Sequence, residues 1–335
     1  MVSPETEQTG SKRMKTCRIC DNSKDNRSHI AREMMFGYRD EFEYFECSSC
    51  SCLQLKEFPD NLAKYYPPKY YSLKKRDSRW TKIDRMSYIL SREKLKSFCN
   101  EGNVIGLLLL KASGPPKLDQ WLKTEYCRSD YKILDVGCGS GKLLLRLKKK
   151  GFSNLTGIDP FINEDIYYQN GVNILRKEIK HVDESFDFIM LHHSLEHMSD
   201  PPAVFENLYR TLKPNRFVLI RTPVASSYAW KKYGVNWVQL DAPRHLFLHT
   251  IESIKILAHR VGFELNDIIF DSTEFQFLGS EQYMRDIPLG DEHSYKMKSP
   301  EAVFSDKEIR YFKEKAAELN ESGAGDQACF YLYKK

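Results

Sequence analysis

The run Lys132-Ile-Leu-Asp-Val-Gly-Cys-Gly-Ser-Gly141 leaves little choice of local fold. Residues of strand type lead into glycines at every second position, and a leucine-rich segment of helical spacing follows from Lys142. Glycine has no Cβ. Gly137, Gly139 and Gly141 therefore permit a tight turn, let backbone N–H groups approach a ligand closely, and aim a helix N-terminus at its negative end. Eighteen residues beyond Gly141, Asp159 ends a second strand-like run, Leu155-Thr-Gly-Ile-Asp-Pro160, where a carboxylate can accept hydrogen bonds from a ribose diol. Strand, glycine turn, helix, strand and acid make half of a nucleotide-binding α/β sheet.

The spacing separates two ligand classes. A dinucleotide fingerprint is G-x-G-x-x-G, but here the third glycine comes one residue early and Lys142 fills its slot, which weakens an NAD reading. The pattern D-x-G-x-G-x-G instead resembles motif I of the class I S-adenosylmethionine (SAM)-dependent methyltransferases. Later segments resemble that family in order: Gly157-Ile-Asp-Pro160, Glu184-Ser-Phe-Asp-Phe-Ile-Met-Leu191, His193-Ser-Leu-Glu-His-Met-Ser-Asp-Pro201 and Leu212-Lys-Pro-Asn-Arg-Phe-Val-Leu-Ile220. The resemblance covers roughly residues 130–270. It implies an α/β fold with a Rossmann-like seven-stranded sheet, SAM as cofactor, and methyl transfer as the reaction. It also implies that Asp135, directly or through water, and the loop of Gly137, Cys138, Gly139 and Gly141 hold the methionine end. Asp159 and Pro160 would meet the ribose, Lys177 and Glu178 the adenine edge, and Leu191 and His192 the other side of the cofactor. Arg176-Lys-Glu-Ile179 departs from the acid-rich pattern usual at the adenine strand.

Four of the nine cysteines form a second constellation. Cys17-Arg-Ile-Cys20 and Cys47-Ser-Ser-Cys50 are C-x₂-C pairs 26 residues apart, a spacing that closes a tetrahedral Zn²⁺ site, and a reducing compartment gives such thiols little disulfide alternative. Cys52 is a rival for Cys50 in that set. With all four ligands from one small unit, the metal reads as structural. The isolated Cys99, Cys127, Cys138 and Cys329 read as ordinary buried thiols. Net charge is +5 with both signs dispersed, a weak argument for nucleic acid. The longest apolar stretch, Val104 to Leu110, is too short to span a bilayer and reads as a buried helix, and the polar start lacks a signal-peptide core. A cytoplasmic protein is expected.

These features divide the chain into a disordered leader (1–14), a zinc-knuckle module (15–56) with Glu43–Cys47 and Leu53–Leu55 as short strands, a tyrosine-rich linker and helical segment (57–128), and a methyltransferase domain (129–335). Alternating strand and helix patterns from 129 to about 270 demand parallel strands covered on both faces. Phe275-Gln-Phe-Leu278 and Ala328–Tyr333 are expected to pair as an antiparallel hairpin, with 284–325 a polar, partly helical insertion. The chain is also similar to bacterial methyltransferases with an N-terminal cysteine knuckle pair, many acting on sugars or surface polysaccharides. In those a tyrosine-rich segment lies over the cofactor, which makes Tyr70 and Tyr71 candidates here.

His193-Ser-Leu-Glu-His197 also matches the H-x-x-E-H zinc-protease signature, which needs both histidines on one long helix. Asp200-Pro-Pro202 follows within three residues and favours the start of a new helix, so Glu196 and His197 belong on a short turn, as catalytic groups or as loop anchors. The best base candidate is His245 in Trp237-Val-Gln-Leu-Asp-Ala-Pro-Arg-His-Leu-Phe-Leu-His249, since a neutral imidazole accepts a hydroxyl proton at physiological pH. In that loop Trp237 can stack on a sugar, and Asp241 and Arg244 can bind polar groups, or else Trp237 and an Asp241–Arg244 ion pair simply pack the loop. The expected acceptor is a small molecule, a saccharide or nucleotide-linked sugar, methylated at oxygen or carbon. The alternatives are a lipid, quinone or polyketide hydroxyl, or a zinc-ribbon RNA- or protein-binding module on a degenerate core.

Overall fold

The structure is a computed structural model and describes residues 16–66, 80–123, 125–126, 128–298 and 303–335. Strands β1 (Arg27–Arg32), β2 (Glu41–Glu46) and β3 (Leu53–Leu55) form an antiparallel meander around the cysteine pairs. Two helices follow, α1 (Lys82–Phe98), opened by a Thr81–Asp84 capping box, and α2 (Val104–Ser113), ended by Gly114. The main layer then alternates: β4 (Lys132–Val136), α3 (Lys142–Lys149), β5 (Asn154–Ile158), β6 (Ile166–Tyr167), β7 (Asn173–Leu175), β8 (Phe186–His192), α4 (Pro201–Thr211) and β9 (Leu212–Pro223). It is completed by α5 (Tyr228–Tyr233), β10 (Phe247–Leu248), α6 (Ile251–Val261), β11 (Glu264–Phe270), α7 (Phe275–Met284), α8 (Asp306–Glu321) and β12 (Gln327–Lys334).

Among the described residues the large sheet runs β11-β12-β9-β8-β4-β5-β7-β6. The strands from β9 to β7 are parallel, and β12 inserts antiparallel between β9 and β11. This is the expected Rossmann-like sheet with one two-residue strand, β6, added at its edge. The chain leaves β4 for β5 on one side and later returns to β8 on the other, so the strand order reverses at β4 and a crevice opens at its carboxyl end.

Two expectations are corrected. The hairpin partner of β12 is Glu264–Phe270, while Phe275–Leu278 begins helix α7. A four-residue alternation cannot separate strand from helix. The longer segment buries Phe277, Leu278, Ser280, Gln282 and Tyr283 on several sides, which a helix wedged between elements does, and Phe277 stacks on Phe312 of α8 at 5.2 Å. The run Val104–Leu110 is helical but not buried: Val104 is 71% exposed and Leu108 61%, and only Gly106 of α2 is enclosed, against α1. No helix among the described residues is long and apolar enough to cross a membrane.

The two sheets are physically continuous with one loop. Strand β10 lies in the meander, paired with β3 (Phe247 opposite Gln54, Leu248 opposite Leu53), although it belongs to the segment after β9. Leu55 N–H extends the pairing to the Leu246 carbonyl at 2.9 Å, and Thr250, which caps α6, donates its hydroxyl to the Cys50 carbonyl at 2.6 Å.

Candidate active site

At the end of β4 the chain enters a glycine turn in which Gly137, Gly139 and Gly141 all have positive φ (76°, 55° and 79°). A Cβ on Gly137 would stand 2.4 Å from Cβ of Ser194, and one on Gly141 2.5 Å from Ile174, so these positions exclude other residues by space as well as by backbone. Asp159, at the end of β5, fastens the turn. Its carboxylate accepts Gly139 N–H at 2.8 Å and Phe161 N–H at 2.9 Å, leaving lone pairs for a diol. Pro160 follows it. Asp135 is buried without a counter-ion, and burial together with the Asp159 charge pushes its pKa up to about 8. Cys138 packs beside the turn, its thiol pushed well up by burial and the two neighbouring carboxylates, which leaves it no nucleophilic character. Lys177 and Glu178 are exposed just past the end of β7, where the Leu175 carbonyl accepts Asp159 N–H. Leu191 is buried at the end of β8, and the ring of His192 meets Trp121 edge-on at 4.3 Å. A glycine cradle, a strand-end acid and an apolar wall fit an adenosyl cofactor. Trp121 carried no motif that would have marked it.

The contact between Gly137 and Ser194 sets the turn Leu195–His197 directly against this cradle. The turn is one turn of 3-10 helix, and α4 starts at Pro201 behind an Asp200 cap, which removes the protease geometry. Glu196 is fully buried. Thr222 donates to its Oε2 at 2.9 Å, and Oε1 faces His193 Nδ1 at 3.4 Å. Burial works against the Glu196 charge, but His193 and the imidazoles of His245 and His197 outweigh it and hold the carboxyl at about 2. The rings of His197 and His245 meet at 4.8 Å. Nδ1 of His197 lies 2.8 Å from the Arg244 carbonyl, and Nδ1 of His245 lies 2.7 Å from the Gln239 carbonyl. A carbonyl only accepts, so both Nδ1 atoms carry a proton and the lone pair of a neutral ring sits on Nε2. Burial, reinforced by His197, lowers the His245 pKa to about 4, so the ring is neutral at physiological pH.

The rest of the loop departs from expectation. Trp237 has no exposed surface and donates Nε1–H to Asp326 at 3.0 Å, so it is core and offers no face to a sugar. Arg244 is equally buried and makes four hydrogen bonds: Asp241 takes its Nε and Nη2, and Glu33 and the Tyr65 carbonyl take its Nη1. It cannot reach a phosphate without breaking that network, and Asp241 is spent on it as well. Both residues stand in the packed-loop alternative. His249 is buried against Ser253 and Phe247. Tyr70 and Tyr71 lie outside the described residues, but the same tyrosine cluster supplies Tyr66, whose hydroxyl is 3.2 Å from His197 Nδ1. Tyr44 of β2 donates to the His245 carbonyl at 2.8 Å. Neither was marked by a motif.

The four cysteines of the two knuckles do converge. Cys17 and Cys50 are 3.6 Å apart, Cys20 and Cys47 3.5 Å, and all four sulfurs lie within 4.8 Å of one another. Zn–S bonds of about 2.3 Å in a tetrahedron place sulfurs about 3.8 Å apart, so the set fits such an ion. Ile19 N–H and the Gln54 amide point at Cys17 Sγ, and its hydrogen bond with Cys50 brings its pKa down to about 5. Cys52 is buried apart from the set, with its sulfur toward the Leu53 carbonyl.

A parallel sheet with a glycine cradle at its switch point, facing a turn of titratable side chains, defines an α/β group-transfer enzyme. Residues 107–267 match the family described as methyltransferase domain. The chain is 30% identical over 168 residues to a ubiquinone biosynthesis O-methyltransferase of Pseudomonas entomophila, spanning 44% of this chain and 71% of that one. It is 31% identical over the same spans to its counterpart in Pseudomonas putida strain W619. A solved SAM-dependent methyltransferase from Archaeoglobus fulgidus is similar at 19% identity and TM-score 0.39, over 74% of this chain and 99% of that one. The chain belongs to the class I SAM-dependent methyltransferases, enzymes that transfer the methyl group of SAM.

Proposed function

We propose that the chain methylates a hydroxyl of a small polar acceptor, a saccharide or nucleotide-linked sugar, with His245 as the base that removes the proton. The observation that carries this is the convergence of two imidazoles, His197 and the neutral His245, on the buried carboxylate of Glu196 beside the glycine cradle. SAM supplies an activated methyl; positioning and proton removal fall to the protein. Asp135, Asp159 and the turn from Gly137 to Gly141 would hold it, with Lys177 and Glu178 at the adenine and Leu191 and His192 along the opposite wall. His197, oriented by the Arg244 carbonyl and Tyr66, would share the acceptor hydroxyl with His245. The Glu196 charge would stabilise the imidazolium that forms.

A quinone-type phenol is the second reading, favoured by the names of the curated relatives. The two are separated by incubating the protein and SAM with a panel of nucleotide-linked sugars and a panel of dihydroxyphenyl acceptors, and locating any added methyl by mass spectrometry. Transfer to the sugars alone is the expected result; transfer to the phenols alone would sink the saccharide reading.

In the same reading Cys17, Cys20, Cys47 and Cys50 hold a structural zinc in a reducing, cytoplasmic setting. Native mass spectrometry is expected to find at least one zinc per chain, one of which is lost in Cys47→Ser; a metal-free wild-type protein of full stability would remove the ion from the account.

A further inference from the structure

The cluster beside the cradle has a property that proton transfer does not use. One ligand atom from each of Glu196, His197 and His245 lies within 4.8 Å of the other two. Both Nδ1 atoms are committed to backbone carbonyls, the arrangement that fixes a histidine so that Nε2 can take a metal. Oε1 of Glu196 is fully buried and faces His193 Nδ1 at 3.4 Å, a contact that leaves this oxygen a second lone pair for a metal. Its other oxygen is anchored by Thr222, and His193 stands behind Oε1 at 3.4 Å. The His193 ring is itself fixed from outside, because Arg221 lies 2.9 Å from its Nε2 and also engages Asp271. His193 is therefore outside the trio. Arg221 is compensated by Asp271, and Arg244 is more than compensated by Glu33 and Asp241, so the charge around the trio is negative, with Asp241 Oδ2 3.8 Å from His245 Nε2 in addition to Glu196.

We propose that Glu196 Oε1, His197 Nε2 and His245 Nε2 form a second metal site, separate from the cysteine cluster, for a divalent ion of the zinc, cobalt or nickel class. Two imidazoles and one carboxylate suit such borderline ions better than Mg²⁺ or Ca²⁺, which prefer all-oxygen shells. Metal–nitrogen bonds of about 2.0–2.1 Å would place the ligand atoms about 3.3 Å apart, so binding draws the trio together. The set has three protein ligands. Occupancy removes the lone pair of His245, so metal binding and base action exclude each other and the ion is an inhibitor that competes with the acceptor. That competition rests on the reading of His245 as base; the site itself does not.

The test uses the full chain with its cysteine site filled by zinc, and Co²⁺ as the probe. A second equivalent is expected to bind with the visible d–d bands of a nitrogen and oxygen shell and without thiolate charge-transfer absorption. Methyl transfer should fall in parallel, with SAM affinity unchanged. Glu196→Gln and His197→Gln should each weaken Co²⁺ binding by about tenfold or more, with SAM binding as the check that each variant is folded. Absence of a second equivalent, or binding indifferent to both substitutions, overturns the site. Cobalt bound at full affinity with turnover unchanged or raised overturns the competition and removes His245 as the base, while leaving the site in place.

Discussion

Replacing His245 by alanine is expected to lower turnover by about 10²–10⁴-fold while leaving SAM affinity within error, the loss typical of a positioned general base. The separation follows from geometry. The ring of His245 packs on His197 in the acceptor half, whereas the cradle and Asp159 are built by β4 and β5. The pH profile gives a second readout. The active form of the base is neutral, and burial lowers its pKa to about 4. Turnover should therefore persist as the pH falls through 6.5, the usual range for histidine, and fail only on approach to 4. An acid limb centred near 6.5, or an alanine variant with wild-type turnover, would count against His245.

The second large effect concerns a residue far from the chemistry in sequence. Glu33 and Arg244 are both fully buried and meet at 3.0 Å. Burial opposes the Arg244 charge, but Asp241 and Glu33 outweigh it and raise its pKa further, while Arg244 holds the Asp241 carboxyl at about 2 against burial. Glu33→Gln removes one charge and leaves the cation with a single carboxylate partner in a dry interior. A loss of about 1–3 kcal/mol in urea unfolding is expected, because the substitution puts an amide NH₂ where a carboxylate oxygen accepts from Arg244 and from the Met35, Phe36 and Tyr38 N–H groups, leaving buried donors unsatisfied. The pair Glu33→Gln and Arg244→Met together should cost less than the sum of the single changes. Additive losses would show that the two side chains are not coupled.

The cofactor half was legible because its residues are close in sequence. Lys132 to Asp159 is one strand–turn–helix–strand unit, and its glycines and acid have local physical reasons. The acceptor half was legible only in part. His245, His197 and Glu196 stood out as chemistry-bearing types in short motifs, yet residue type does not disclose burial. Trp237 and Arg244 resembled binding groups and are interior packing. The groups that fix the site came from far away: Glu33 is 211 residues from Arg244, and Tyr44 is 201 residues from His245. No spacing rule reaches across such distances. The misplaced hairpin strand has a different cause. Glu264–Phe270 is an edge strand with exposed polar positions, so its apolar alternation is broken, whereas the more apolar Phe275–Leu278 belongs to a helix.

The pairing of β3 with β10 has an evolutionary and practical corollary. The segment that carries His245 ends in a strand whose partner lies in the cysteine-bearing meander, and the Tyr44 and Glu33 bonds fasten the same loop at two more points. On the proposed reading of His245 as the base, the acceptor site is built from two stretches of the chain some 200 residues apart. Grafting the 237–249 loop onto a relative without the meander would transfer the words without their grammar. Exchange of specificity among such enzymes should move both stretches together.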